Sequence, residues 1–324
     1  MSKKLVSIII TAYNEENYIE RAIISALNQS YENVEVIVID DGSNDKTLEI
    51  SEKYLSQLEI FHNDSPQGLM EARNIGVRNA KGEYIAFLDG DDSYHKNKIE
   101  IQLNTIQTLP EKSILFTGRV VRSENGVPMI PMSGDLSGRI SSFDYNDALK
   151  RVVTSLGPTF MMTKKDYIEL GYMDSVVGKE RDFFARYSFS GGKLFRLALP
   201  LYIHHNKPGS MSTQTYKTYQ REMKMLAAWM PSETQDLNRK ISMSEYIAYE
   251  KSVKEIYKKK FVKNTDPSEL PEEYHSLYLN RAIMSFIQVS KDGIRDVIGL
   301  FRYALFKIRE KHIIGSITNT TENS

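Results

Sequence analysis

The chain has 324 residues, 42 basic and 42 acidic side chains, 41% hydrophobic and 26% charged residues, and no cysteine. That balance excludes wholesale disorder, gives no global charge for nucleic acid, and rules out disulfides and thiolate chemistry. Lys3 and Lys4 make the start basic, but Leu5 to Ile10 is too short for a signal core, and no apolar run approaches the roughly 20 residues that span a bilayer. The expected location is the cytoplasm, with the inner face of the cell membrane as a peripheral alternative.

Leu5 to Ile10 is continuous and β-branched, a strand buried on both faces, and it ends in Thr11-Ala12-Tyr13-Asn14-Glu15. Ile19, Ala22, Ile23, Ala26 and Leu27 recur at helical spacing. Val34 to Ile39 is a second buried strand, ending in Asp40-Asp41-Gly42-Ser43. Asp45 or Asn44 is expected to cap the helix carrying Leu48, Ile50 and Tyr54. Leu58 to Phe61 is a short strand, and Leu69 to Ala80 a helix with Gly82 expected at its C′ position. Tyr84 to Leu88 is a further buried strand that stops in Asp89-Gly90-Asp91-Asp92. Ile99, Leu103 and Ile106 mark the next helix. Alternation of strand and helix is the signature of a parallel sheet covered by helices.

Such sheets bind ligands outside the carboxyl ends of their strands. Three strands end there in polar clusters, at 11–15, 40–43 and 89–92. Neither a Gly-x-Gly-x-x-Gly fingerprint nor a P-loop follows the first strand, so phosphates are not expected in a glycine cradle. Asp89 and Asp91, two residues apart, project to one side and suit a hard divalent cation that also holds substrate phosphates. Gly90 allows a ligand to approach closely. Asp92 is expected to point to the other side and brace the turn.

The second half is less regular. Ile114 to Val121 and Thr159 to Met162 read as strands, and Asn125 to Ser142 as a loop over the sheet. Lys164 to Leu170 and Lys179 to Ser190 read as helices. Lys193 to Ile203 is strand-like and leads into His204 to Ser212, read as a flexible loop. Helices with many lysines are expected at 216–230 and 240–262, two further helices at 274–290 and 294–313, and a disordered tail at 316–324. Trp229, the single tryptophan, fits helix packing better than a sugar platform. The basic amphipathic helix 294–313 suits an anionic membrane surface, the catalytic domain or a second subunit.

Together, Val6 to Glu15, Asp40 to Asp45, Gly68 with Ala72-Arg73-Asn74-Ile75-Gly76, and Phe87 to Asp92 resemble family 2 glycosyltransferases of the GT-A fold. The resemblance covers roughly residues 4–212. It implies an α/β protein with a mostly parallel central sheet flanked by helices. The expected organisation is a catalytic domain at 1–215, with a nucleotide-binding half (1–110) and an acceptor half (111–215), then a helical C-terminal appendage (216–315).

The resemblance further implies inverting transfer of a sugar from a nucleoside diphosphate, usually UDP, with Mg²⁺ or Mn²⁺, to a hydroxyl of a glycan, wall polymer or lipid-linked acceptor. On this implied map Thr11, Ala12, Tyr13, Glu15, Asp41, Arg73, Asp89 and Gly90 line the nucleotide site. Asp91 binds the metal with Asp89 as partner. Gly171-Tyr172-Met173-Asp174 resembles the family's Gly-Gly-Phe-Asp segment. Glu180, six residues before Arg186, takes the position of the catalytic base, with Asp182 as rival. Glu180 and Lys179 depart from the family's usual Asp and Glu. Tyr202-Ile203-His204-His205 with Ser210-Met211-Ser212 resembles the loop that closes over the diphosphate, and there His205 is favoured over His204 for metal or pyrophosphate. The alternative function is a non-catalytic sugar-nucleotide-binding or scaffold protein of a polysaccharide-synthesis complex, and the departure at 179–180 is what keeps that alternative open.

Overall fold

The computed structural model describes residues 3–123, 130–131, 137–143, 157–175 and 180–207. The expectations for the 216–315 appendage, the 316–324 tail, Trp229, Lys179 and Ser210–Ser212 lie outside the described residues.

β1 (Val6–Ala12) is buried at every position because it is central. It pairs in parallel with β2 (Val34–Asp40) on one side and β4 (Tyr84–Asp89) on the other. Alternate side chains of such a strand enter opposite layers. Ile8 and Ile10 pack with α1 (Ile19–Leu27) and α4 (Lys98–Ile106). Ile9 joins Ile37 and Phe87 under α3 (Leu69–Asn79). Each fully buried isoleucine contributes roughly 1.5–3 kcal/mol, which explains why the run is continuous rather than alternating.

β3 (Glu59–His62) completes the parallel half beyond β2, and α2 (Thr47–Glu52) connects them. The second half is mixed. β9 (Phe160–Thr163) inserts antiparallel between β4 and β6 (Ser113–Ser123), and β6 runs parallel to β10 (Lys193–Asn206). The main strand order is β3-β2-β1-β4-β9-β6-β10-β5, where β5 is Ser93–Tyr94. β7 (Ile130–Pro131) and β8 (Ile140–Phe143) pair at its margin. α5 (Lys164–Glu169) and α6 (Glu180–Phe189) cover the Ile9 face through Tyr167, Phe183 and Phe184.

Four sequence expectations are corrected. β7 lies inside 125–142, read as loop, and β8 begins inside it. β10 runs through His204 and His205, because parallel pairing with β6 extends to Asn206. Asp45 does not cap α2 from the N-cap position; Lys46 holds that position, and Asp45 Oδ1 accepts from the Thr47 N–H at 2.9 Å, one residue too early. Gly82 is not the C′ residue of α3, which ends at Asn79 with Ala80 extended. Its role is close approach: a Cβ there would lie 2.4 Å from Ser7 Oγ and 2.6 Å from the Ser7 nitrogen.

One buried cation lies away from the strand ends. Lys98, fully buried, donates to Gln102 and sits 4.4 Å from the centre of the Tyr94 ring. Burial pushes its amine down to about 7.

Candidate active site

The parallel register aligns three strand ends. Thr11 lies opposite Asp89, and Ala12 opposite Asp40. The loops beyond are laced together. The Asn14 N–H donates to Ser43 Oγ at 2.9 Å, the Glu15 N–H to Thr47 Oγ1 at 2.7 Å, and the Asn44 N–H to Asn14 Oδ1 at 2.9 Å. Asn14 takes φ +56, the left-handed region that asparagine tolerates. Tyr13 is left exposed, whereas the Thr11 hydroxyl is buried without a hydrogen-bond partner.

The two aspartates that follow β2 tie loops. Asp40 accepts from Ser43 and faces His62 Nδ1 at 2.8 Å. Asp41 accepts from Asn63 Nδ2, the Gln67 N–H and the Gly68 N–H, each at 2.8 Å. These contacts hold the start of α3, with Asp41 almost fully buried.

The 89–92 stretch is a turn rather than an extended chain. The Asp92 N–H donates to the Asp89 carbonyl at 3.0 Å and the Gly90 N–H to the Thr11 carbonyl at 2.9 Å. A Cβ on Gly90 would lie 3.0 Å from the Ala12 Cβ, so glycine here serves the contact with β1. The turn gathers all three acids: one carboxylate oxygen from each of Asp89, Asp91 and Asp92 lies within 4.8 Å of the others. Three hard oxygen donors at this spacing fit Mg²⁺ or Mn²⁺ by donor chemistry. Burial raises the carboxyl of Asp91, with Asp92 adding to it. Burial raises Asp89 as well, against the pull of Arg73. A divalent cation would relieve the cost of ionising Asp89 and Asp91.

Asp92 is more than a turn brace. It is buried and accepts from the Tyr202 hydroxyl at 2.6 Å and the His205 N–H at 2.9 Å, and it faces His204 Nδ1 at 3.0 Å. The histidine ring at the acids is therefore that of His204, where the sequence reading favours His205. Neighbours on a strand point to opposite faces. The His205 ring turns to Ser93 Oγ at 2.9 Å, and burial and the nearby Arg21 bring it down to about 4.

Arg73 is fully buried and bridges two elements. One terminal nitrogen donates to Asp89 Oδ1 at 2.8 Å, the other to Glu180 Oε1 at 2.7 Å. Both groups face carboxylates, whereas the resemblance implied that Arg73 lines the nucleotide site. Glu180, at the start of α6, keeps 23% of its side chain exposed. Asp182 is fully buried and pairs with Arg186 Nε at 2.9 Å. Two residues apart on a helix face nearly opposite ways, so Asp182 is turned into the core.

Lys207 was not singled out in the sequence. Its ammonium donates to Glu15 Oε1 at 2.6 Å and lies 3.1 Å from Asp91 Oδ2 and 4.9 Å from the centre of the Tyr18 ring. Burial, partly offset by Lys207, pushes the Glu15 carboxyl up to about 7. No local signal marks Lys207, because its partners are 192 residues back in the loop after β1 and in the turn after β4.

Residues 7–171 match the model of glycosyl transferase family 2. The chain belongs to that family. Glu180, His204 and Lys207 lie beyond the matched span. A Haemophilus influenzae protein described as an uncharacterized glycosyltransferase is 47% identical over 107 residues, 32% of this chain and 43% of that protein. The putative teichuronic acid biosynthesis glycosyltransferase TuaG of Bacillus subtilis is 35% identical over 156 residues, 47% of this chain and 59% of that protein. The chain thus spans less than two thirds of these relatives' lengths. Among solved structures, S. aureus TarS 1-349 in complex with UDP-GlcNAc aligns with TM-score 0.60 and 19% identity, over 85% of this chain and 79% of that one. The fold of this family 2 chain is GT-A: a parallel first half joined to a mixed second half, with helices on both faces. Among the described residues no helix is long and apolar enough to cross a membrane.

Proposed function

We propose that this family 2 chain transfers a sugar, with inversion, from a nucleoside diphosphate donor of the UDP-sugar class to an acceptor hydroxyl of a glycan, wall polymer or lipid-linked saccharide. The observation that carries the reading is the Arg73 bridge: one buried guanidinium holds Asp89 of the acid turn and Glu180 of α6. It fixes a partly exposed carboxylate beside a cluster suited to a cation, while the rival Asp182 is occupied in the core.

In this scheme the acceptor oxygen attacks the anomeric carbon as the bond from that carbon to the diphosphate oxygen breaks. Glu180 takes the hydroxyl proton. Asp91, Asp89 and Asp92 would hold a divalent cation, which would supply charge neutralisation for the leaving diphosphate. Thr11, Ala12, Tyr13 and Glu15, on the edge shared with Asp89, would line the nucleoside. The buried, unpartnered Thr11 hydroxyl is available to it. Asp41 would act through the start of α3 and Arg73 through the two carboxylates it holds. One base beside the acids suffices for inversion, where a glycosidase sets two carboxylates across the bond. The S. aureus neighbours solved with UDP and with UDP-GlcNAc support a nucleotide-sugar donor, and the teichuronic acid relative supports a polymer acceptor.

The test is a donor screen. UDP-sugars with Mn²⁺ should raise the unfolding temperature by mass action, and the stabilising donor should release UDP slowly by hydrolysis or faster with acceptor. Binding without any UDP release, under all acceptors and metals tried, would favour the scaffold alternative.

A further inference from the structure

The mechanism above leaves one charged group at the acids unused. The Lys207 side chain is 16% exposed and sits between Glu15, 14% exposed, and Asp91, 19% exposed. These three side chains come from the loop after β1, the turn after β4 and the end of β10. A charged ammonium this buried is costly without opposite charge, and here two carboxylates supply it at once. Its contact on the second is Oδ2 of the aspartate with most claim to a metal. The Lys207 backbone directly follows β10, whose pairing to β6 ends at Asn206, so its anchor is fixed while its four-carbon stem can swing.

We propose that Lys207 is a resident counter-cation of the donor site: it competes with the divalent ion for Asp91, and its ammonium passes to the donor's diphosphate when that ion binds. The proposal rests on the donor-site reading above. An ammonium and a metal ion cannot share one carboxylate oxygen from the same side, because two cations at contact distance repel strongly in a partly buried site. Metal entry at Asp91 therefore displaces Lys207 toward Glu15 and the space between the strand ends. A diphosphate bound there is an anion within reach of the freed ammonium. The exchange keeps the site's total charge nearly constant as an anionic donor enters with its cation.

The test separates two ligands. Mn²⁺ binding without nucleotide is followed by the paramagnetic resonance signal of the free ion, and UDP binding at saturating Mn²⁺ by calorimetry. Lys207→Met should bind Mn²⁺ about tenfold tighter, because the competitor is gone, and UDP about tenfold more weakly, because a phosphate cation is gone. Opposite changes in one variant are not what a loosened fold produces. Lys207→Arg should restore UDP binding. Glu15→Gln gives a second line: with one acid removed, the ammonium rests wholly on Asp91, and Mn²⁺ should bind more weakly. Mn²⁺ affinity unchanged or reduced in Lys207→Met, or UDP binding unchanged at saturating Mn²⁺, overturns the proposal. Wild-type protein that binds neither Mn²⁺ nor UDP overturns the donor-site reading itself.

Discussion

Arg73 and Glu180, 107 residues apart in sequence, meet at 2.7 Å, and the same guanidinium holds Asp89 at 2.8 Å. The arginine is fully buried while both carboxylates keep an exposed fraction. That is the geometry of a buried cation orienting two groups that face a ligand. Arg73→Met should therefore act twice. Leaving two partly buried acids facing each other should cost about 3–5 kcal/mol of stability. Transfer should fall further than Arg73→Lys makes it fall, since lysine keeps the charge but loses the fork that reaches both acids. Denaturant unfolding and kcat on the same preparations check both halves.

Glu180→Gln keeps size and hydrogen-bonding reach but removes the proton acceptor. It should bind donor and Mn²⁺ as wild type does and lose roughly 10²–10⁴ in turnover. Asp182→Asn should behave oppositely. It breaks the buried pair with Arg186, so its first effect is a loss of about 3–5 kcal/mol of stability. A Glu180→Gln enzyme turning over at the wild-type rate would end the assignment of the base.

Asp91→Ala should abolish Mn²⁺-dependent donor binding. The two histidines give a finer comparison. His204→Ala removes the ring at Asp92 and should weaken Mn²⁺ binding by about 10- to 100-fold. His205→Ala removes a ring bonded to Ser93, keeps the backbone N–H that Asp92 accepts, and should leave Mn²⁺ affinity near wild type. Equal losses in both variants would contradict the face assignment.

Lys98 predicts a pH effect far from the site. Its amine is held down to about 7 when folded, from 10.5 when free. Between those values the unfolded chain binds the extra proton, so stability rises with pH across that window, and below about 7 the full cost of a buried ammonium is present. Lys98→Met should remove this slope. It should be more stable than wild type at pH 6, by an amount on the order of 3–5 kcal/mol, and the difference should close toward pH 10. Denaturant titrations at pH 6, 8 and 9.5 measure it.

The sequence by itself determined the parallel half of the sheet and the edge on which its polar clusters gather. The runs at 8–10, 36–39 and 84–88 are apolar without interruption, which strands buried on both faces require, and each is closed by polar residues. Strand direction then brought Thr11, Asp40 and Asp89 to one edge with no tertiary information. The antiparallel entry of β9 between β4 and β6 was not legible, because Phe160–Thr163 is apolar and short and would suit either direction. Nor was the division of labour among charges. Arg73, His204 and Lys207 look locally like a helix residue, a strand end and a loop lysine, and each acquires its partner from an element far away in the chain. Only the tertiary structure decided these, because the free energy of a buried charge depends on which opposite charges surround it, and local sequence does not specify those neighbours.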